Sequence, residues 1–276
     1  MSNYIQIPNS ITELSKKSKH EEALVYAAIR SQIKDSTLKA SYSEEALAEV
    51  LNVTERTINN YVAELINVGL LNKPEKKLGE SSNYPYNVYS FEELENDYFV
   101  ILPPFLNDIN ISAKLKGLLL FIKANCWKGT NYILFNGMTT DLAENLRVGK
   151  NQIKGYLEEL NSKGYIRFIG KSVHIINENF PLFLKYDMDN MAYRTIYDYC
   201  LEHDRIPPSK DVDRKGKDEN LCWIVGKFAD DTDRLHNTLI ERCKNLPEHP
   251  SLEYFCQVLL NKIPIKDNKT CPQILI

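Results

Sequence analysis

The sequence predicts a mainly α-helical protein with small β-hairpins, built as two tandem modules followed by a helical C-terminal region. Three observations carry this expectation. Residues 47–69 recur 95 positions later as residues 142–164, and ten of 23 positions are identical, including Leu47/Leu142, Tyr61/Tyr156 and Gly69/Gly164. Each copy reads as a short helix with Leu-Ala-Glu, a tight turn ending at Val, and a second helix with apolar residues at helical spacing before a Gly stop, which is the pattern of a helix-turn-helix. The flanks repeat as well: Tyr4-Ile5-Gln6-Ile7-Pro8 matches the stretch from Tyr98 to Pro103, and an apolar helical run follows each. The repeating unit is therefore domain-sized, unlike solenoid units of roughly 20–50 residues.

In the first module, residues 21–33 read as a helix with Leu24, Ala27, Ala28 and Ile33 in one stripe. Ser43 has the character of an N-cap, and Ala46, Leu47, Val50 and Leu51 give the next helix its inward face. Asn52-Val53 makes the turn and Thr54 caps a third helix, whose inward residues are Ile58, Tyr61, Val62, Leu65 and Ile66. Gly69 stands where a left-handed residue ends the helix. Two short strands around a polar tip then form a hairpin, the second of them holding Tyr86 and Tyr89.

In the second module a helix spans residues 112–125 and a short strand residues 131–135. Thr140 is expected to cap the next helix, and Gly149 replaces the capping Thr54. The last helix runs over residues 150–162, with Ile153, Tyr156, Leu157 and Leu160 inward. Strands at 165–169 and 172–176 flank Gly170-Lys171 in a tight hairpin. His174 alternates with Val173 and Ile175 and is expected to face solvent. Beyond residue 180 neither pattern recurs. Residues 188–201, 221–228, 232–244 and 251–260 read as helices, and residues 265–276 as a tail.

Bulk properties narrow the function classes. A chain of 276 residues with 43% hydrophobic and 26% charged residues has ordinary globular composition. No apolar run reaches the roughly 18 residues of a membrane-spanning helix. The start Met1-Ser2-Asn3-Tyr4 lacks a basic segment followed by an apolar one, so a cytoplasmic location is expected. The six cysteines form no C-x2-C pair, and His236/Cys243 and His249/Cys256 are spaced too widely for one compact chelate, so no metal is expected. The net charge of −3 is unevenly spread: residues 1–95 carry −4, residues 96–180 carry +3 and residues 181–276 carry −2. Only the middle segment has a positive excess to offer phosphates. There is no G-x4-G-K-[ST], H-E-x-x-H or G-x-S-x-G motif. Glu202-His203-Asp204 reads as solvated surface, and Asp230-Asp231-Thr232-Asp233 as a helix start where acids complement the macrodipole. No enzyme activity and no cofactor are expected.

Both modules resemble winged helix-turn-helix domains. The phrase Leu-Glu-Glu-Leu-Asn-Ser-Lys-Gly-Tyr-Ile at residues 157–166 is similar to the end of that family's recognition helix and the entry to its wing. The segment from Tyr98 to Leu106, with Ser112 to Leu118, resembles DNA-binding segments of phage and plasmid replication proteins, namely DnaD-like replisome organisers and tandem winged-helix plasmid initiators. The resemblance implies a mainly α fold with small β-hairpin wings: a first winged helix-turn-helix domain at residues 1–92, a second at 96–180, and a helical C-terminal domain of unassigned role at 181–276.

A recognition helix buries one stripe and presents the other to the major groove. In the first copy that leaves Arg56, Thr57, Asn59 and Asn60, and in the second Lys150, Asn151, Gln152 and Lys154. Asn and Gln suit adenine edges, Arg suits guanine, and lysines suit phosphates. The hairpins add Lys76 and Lys77, and Arg167 and Lys171. A polar outer face is equally what any amphipathic surface helix carries. The expected function is sequence-specific binding of double-stranded DNA by a replication initiator or transcriptional regulator of a mobile element, with residues 181–276 recruiting a protein partner or mediating self-association. The alternative is a tandem protein-interaction module, like those of bacterial chromosome segregation, without direct DNA readout.

Overall fold

The computed structural model describes residues 4–14, 20–33, 37–78, 85–94, 97–127, 129–134, 138–183, 188–210, 218–228 and 231–260. These form two compact units, one of residues 1–126 and 131–181 and one of residues 127–130 and 182–276.

The larger unit contains the repeat. Its first half runs β1 (Ile5–Pro8), a 3-10 turn (Asn9–Thr12), α1 (Glu22–Arg30), β2 (Lys39–Tyr42), α2 (Glu44–Leu51), α3 (Glu55–Asn67), β3 (Glu75–Leu78) and β4 (Pro85–Ser90). The second half repeats the order: β5 (Tyr98–Ile101), a 3-10 turn (Pro103–Phe105), α4 (Ala113–Ala124), β6 (Tyr132–Leu134), α5 (Met138–Leu146), α6 (Lys150–Ser162), β7 (Ile166–Ile169) and β8 (Ser172–Ile175). Local chemistry explains the boundaries. Ser43, Thr54 and Ser112 accept N–H bonds at the starts of α2, α3 and α4. Gly69 and Gly164 end α3 and α6 at φ of +79° and +76°.

The structure corrects the predicted fold class. It is mixed α and β, 51% helical and 15% strand, with three small antiparallel sheets, not a mainly α protein of two tandem winged-helix domains. The sequence suggested two hairpins and a separate short strand at residues 131–135. Instead β2 joins the first hairpin in the order β2-β4-β3, and β6 joins the second in the order β6-β8-β7. The third sheet pairs β1 with β5 and so links the halves. A single cluster of buried residues runs from Ile5 to Phe180 through both halves. Helix α1 is correspondingly buried along its whole length, Glu22 and Arg30 included, where the sequence suggested a one-sided stripe.

The β1–β5 register shows how the halves are related. Ile5 faces Ile101, Gln6 faces Val100 and Ile7 faces Phe99. In the flanks the repeat runs with a step of 94, aligning Tyr4 with Tyr98 and Leu24 with Leu118, so Ile5 corresponds to Phe99 and Ile7 to Ile101, and each strand pairs antiparallel with its own counterpart, centred on Gln6–Val100. A half-turn about that centre exchanges the two strands, like the pairing of identical edge strands in an isologous dimer. Helices α1 and α4, also counterparts, pack together. Their approach is close at Gly117. A Cβ at Gly117 would lie 2.8 Å from the His20 carbonyl oxygen and 2.9 Å from the Glu21 Cα. The counterpart of Gly117 in α1 is Ala23, buried as well.

The smaller unit is helical in its described elements: α7 (Met188–Glu202), α8 (Glu219–Phe228), α9 (Thr232–Arg242) and α10 (Leu252–Leu259). Asp231 and Ser251 cap α9 and α10. The Tyr193 hydroxyl donates to the Pro208 carbonyl at 2.8 Å, and Arg205 Nε to the Leu246 carbonyl at 3.0 Å. These bonds fix the irregular stretches around the helices. Cys200 and Cys243 are buried, and burial pushes the Cys243 thiol up to about 12. Cys126, Cys200, Cys222, Cys243 and Cys256 carry free thiols. The expected tail at residues 265–276 lies outside the described residues. Among the described residues no helix is long and apolar enough to cross a membrane.

Candidate nucleic-acid interface

The surface begins with α3, whose one stripe is consumed by the core. Ile58, Val62 and Leu65 are buried, and Tyr61 and Ile66 partly so. The opposite stripe therefore emerges, and Arg56, Asn59 and Asn60 are exposed on it. Thr57 behaves differently. Its backbone N–H donates to Thr54 Oγ1 at 3.2 Å, and the two hydroxyls lie 2.8 Å apart. Thr57 is half-buried and completes the cap of α3. Lys76 and Lys77 are exposed on edge strand β3, where Lys77 lies 3.8 Å from Glu75.

Helix α6 repeats the arrangement with a different surface. Ile153, Leu157 and Leu160 are buried, and Tyr156, the counterpart of Tyr61, is likewise half-buried. Lys150, Asn151, Gln152 and Lys154 are exposed. The Gln152 amide donates to the Tyr156 hydroxyl, and Lys154 lies 3.8 Å from Glu158. Gly149 supplies no side-chain cap, in contrast to Thr54. Arg167 on β7 and Lys171 in the hairpin turn are both exposed, and Gly170 takes the positive φ of +53° that the turn needs.

The fold changes how the positive charge of residues 96–180 is spent. Lys116 is buried and donates to the Leu106 carbonyl at 2.6 Å, and Lys123 is buried and donates to Asn131 Oδ1 at 2.5 Å. Burial lowers both ammonium pKa values. Neither belongs to the surface that meets solvent. The exposed cations of this half are concentrated around α6 and the β7–β8 hairpin.

Two expectations around this surface are corrected. His174 is fully buried instead of facing solvent, because β8 is the middle strand of its sheet and Tyr132 on β6 stacks over the imidazole at 5.1 Å. Thr140 does not cap its helix, since α5 starts at Met138 and places Thr140 inside it. Tyr89 on β4 is likewise fully buried. The sequence reading also passed over Arg147, an exposed residue of the turn between α5 and α6 with φ of +53°. Its signal was legible in the repeat, where Asn52 holds the same place.

Chemically, the two stripes offer forked amides and one guanidinium in the first half, and two ammonium groups with amides in the second. Such groups bind base edges and phosphates and transfer no group or electron. Among the described residues no three His, Cys, Asp or Glu side chains gather where they could hold a metal ion. No protein-family model matches the chain, and no curated protein matches it in sequence.

Proposed function

We propose that this protein binds double-stranded DNA with sequence preference through the exposed stripes of α3 and α6, and acts as a replication initiator or transcriptional regulator of a mobile element. The observation that carries this reading is that α3 and α6, counterparts in the sequence repeat, each expose a stripe of amide and cationic side chains. Arg56, Asn59 and Asn60 supply base-edge chemistry in the first half. Lys150 and Lys154 supply phosphate attraction in the second, with Asn151 and Gln152 between them. The smaller unit serves a protein contact in this reading, supported by Trp223, which is 61% exposed on α8.

The test is selection of binding sequences from random duplex DNA at two salt concentrations. An enriched motif whose affinity falls steeply with salt supports the proposal, because counterion release accompanies each phosphate contact. Failure to enrich any sequence, with no salt-dependent binding, overturns it.

A further inference from the structure

The turn between α5 and α6 reproduces the turn between α2 and α3. In the first, Val53 N–H donates to the Ala48 carbonyl at 3.0 Å. In the second, Val148 N–H donates to the Ala143 carbonyl at the same distance. Both need a left-handed residue, at φ of +52° for Asn52 and +53° for Arg147. Asparagine tolerates that conformation better than any other side chain except glycine, because its amide bonds locally. Arginine gains no such compensation and carries the clash of its Cβ.

Of the five non-glycine residues described at positive φ, three are Asn or Asp. Leu38 is partly buried and packs against the core. That leaves Arg147, whose side chain is exposed and has no acidic partner among the described residues. The turn requires this geometry, but among the described residues no side-chain bond offsets its cost for arginine as a local amide bond does for asparagine, so an arginine kept there points to a use for its side chain.

We propose that Arg147 is a phosphate-binding residue of the second half, retained at the cost of stability. The inference rests on the DNA-binding reading above. Arg147 leads directly into the helix that carries Lys150 and Lys154, and so extends their cationic surface across the turn. Its counterpart Asn52 leads into a helix that begins with Glu55. The conformational cost and the charge thus occur in the same half.

Arg147→Asn separates the two effects, because it relieves the backbone and removes the charge. The full chain is titrated against a labelled duplex of random sequence over a series of salt concentrations, and melted in parallel. Arg147→Asn is expected to raise Tm by about 2–4 °C, the scale of relieving one strained residue in a chain of this size. It is expected to weaken binding about three- to tenfold and lower the salt slope by about one, the signature of one lost phosphate contact. Arg147→Lys, with charge and strain both kept, should leave Tm and slope unchanged. An Arg147→Asn protein that binds with full slope, while Lys150→Ala/Lys154→Ala loses it, overturns this assignment alone. An Arg147→Asn protein that melts lower overturns the strain argument. Absence of salt-dependent binding by the unaltered protein overturns the DNA-binding reading and this assignment with it.

Discussion

His174 shows how a single residue is decided by its neighbours across the sheet. Ser172 Oγ lies 2.6 Å from the Ile169 carbonyl, to which it gives its one proton, so at 2.7 Å it accepts from His174 Nε2–H. Nδ1 then carries a bare lone pair, buried and without a partner among the described residues. Protonating it would place an unpaired N–H in the interior, beside the Arg167 guanidinium. Burial first, and Arg167 second, lower the imidazole pKa to about 4. The sign follows. Above the ordinary value of about 6.5 the residue is neutral whether the chain is folded or unfolded, and stability does not depend on it. Between pH 6.5 and 4 the unfolded chain takes up a proton that the folded chain refuses, so stability falls as pH falls. The loss saturates below 4, on the order of 3 kcal/mol. Denaturant unfolding from pH 7 to 4 should show this decline, and His174→Phe should flatten it. A decline unchanged by the substitution would assign it to other groups. In the sequence this was hidden, because alternation with Val173 and Ile175 places His174 on the opposite face but cannot say that the face is covered. Tyr132, which covers it, is 42 positions away.

Among the elements, the helices and most of their ends were legible because capping is local, with the start of α5 at Met138 the exception. Ser43, Thr54 and Ser112 act within three residues of themselves, as do Gly69, Gly164 and Gly170 at their turns. Of the third strands, β2 went unread and β6 was read as a strand without its sheet, since each pairs with a strand 38–51 residues away. The role of α1 was hidden for the same reason. Its one-sided stripe is what the near neighbours predict, while the contact with α4 is long-range. That contact yields a prediction at this scale. Gly117→Ala sets a methyl group against backbone at His20 and Glu21, which no rotamer change can relieve. It should destabilise the larger unit by about 1–3 kcal/mol, as overpacking of a close contact does. Ala23→Gly, at the counterpart position in α1, creates no clash. It costs about 0.5–1 kcal/mol through helix entropy, plus the packing of one methyl. Urea unfolding of the two variants distinguishes them, and an equal or smaller loss for Gly117→Ala would refute the close approach. The exposed stripes of α3 and α6 were read correctly from periodicity, but Thr57 was not separable from its neighbours. Its position on the outer stripe gave no hint that both its N–H and its hydroxyl are engaged by Thr54.

For the whole molecule, the half-turn that exchanges β1 and β5 gives the proposed function a consequence that an amphipathic helix alone would not have. If the same half-turn relates α3 and α6, they approach a duplex in opposite senses, and a chain using both would select a bipartite motif with its two parts oppositely oriented. The parts would differ in sequence because the stripes differ, with Arg56, Asn59 and Asn60 on one and Lys150, Asn151, Gln152 and Lys154 on the other. Energetically the halves should divide the work. Lys150→Ala/Lys154→Ala should weaken binding to all duplexes and flatten the salt slope by about one to two units. Arg56→Ala should cost about 1–3 kcal/mol on the preferred site, relax one base preference, and change binding to unrelated DNA little. The comparison is decisive because Glu55 stands beside Arg56 at the start of α3, where Lys150 stands in α6. If Glu55 keeps the first half away from phosphates, Arg56→Ala will leave both affinity and preference intact while the lysine changes abolish binding. In that outcome the motif would shrink to one part. The exposed stripe of α3 would then be a protein-docking surface set at a fixed distance from the DNA by the shared core.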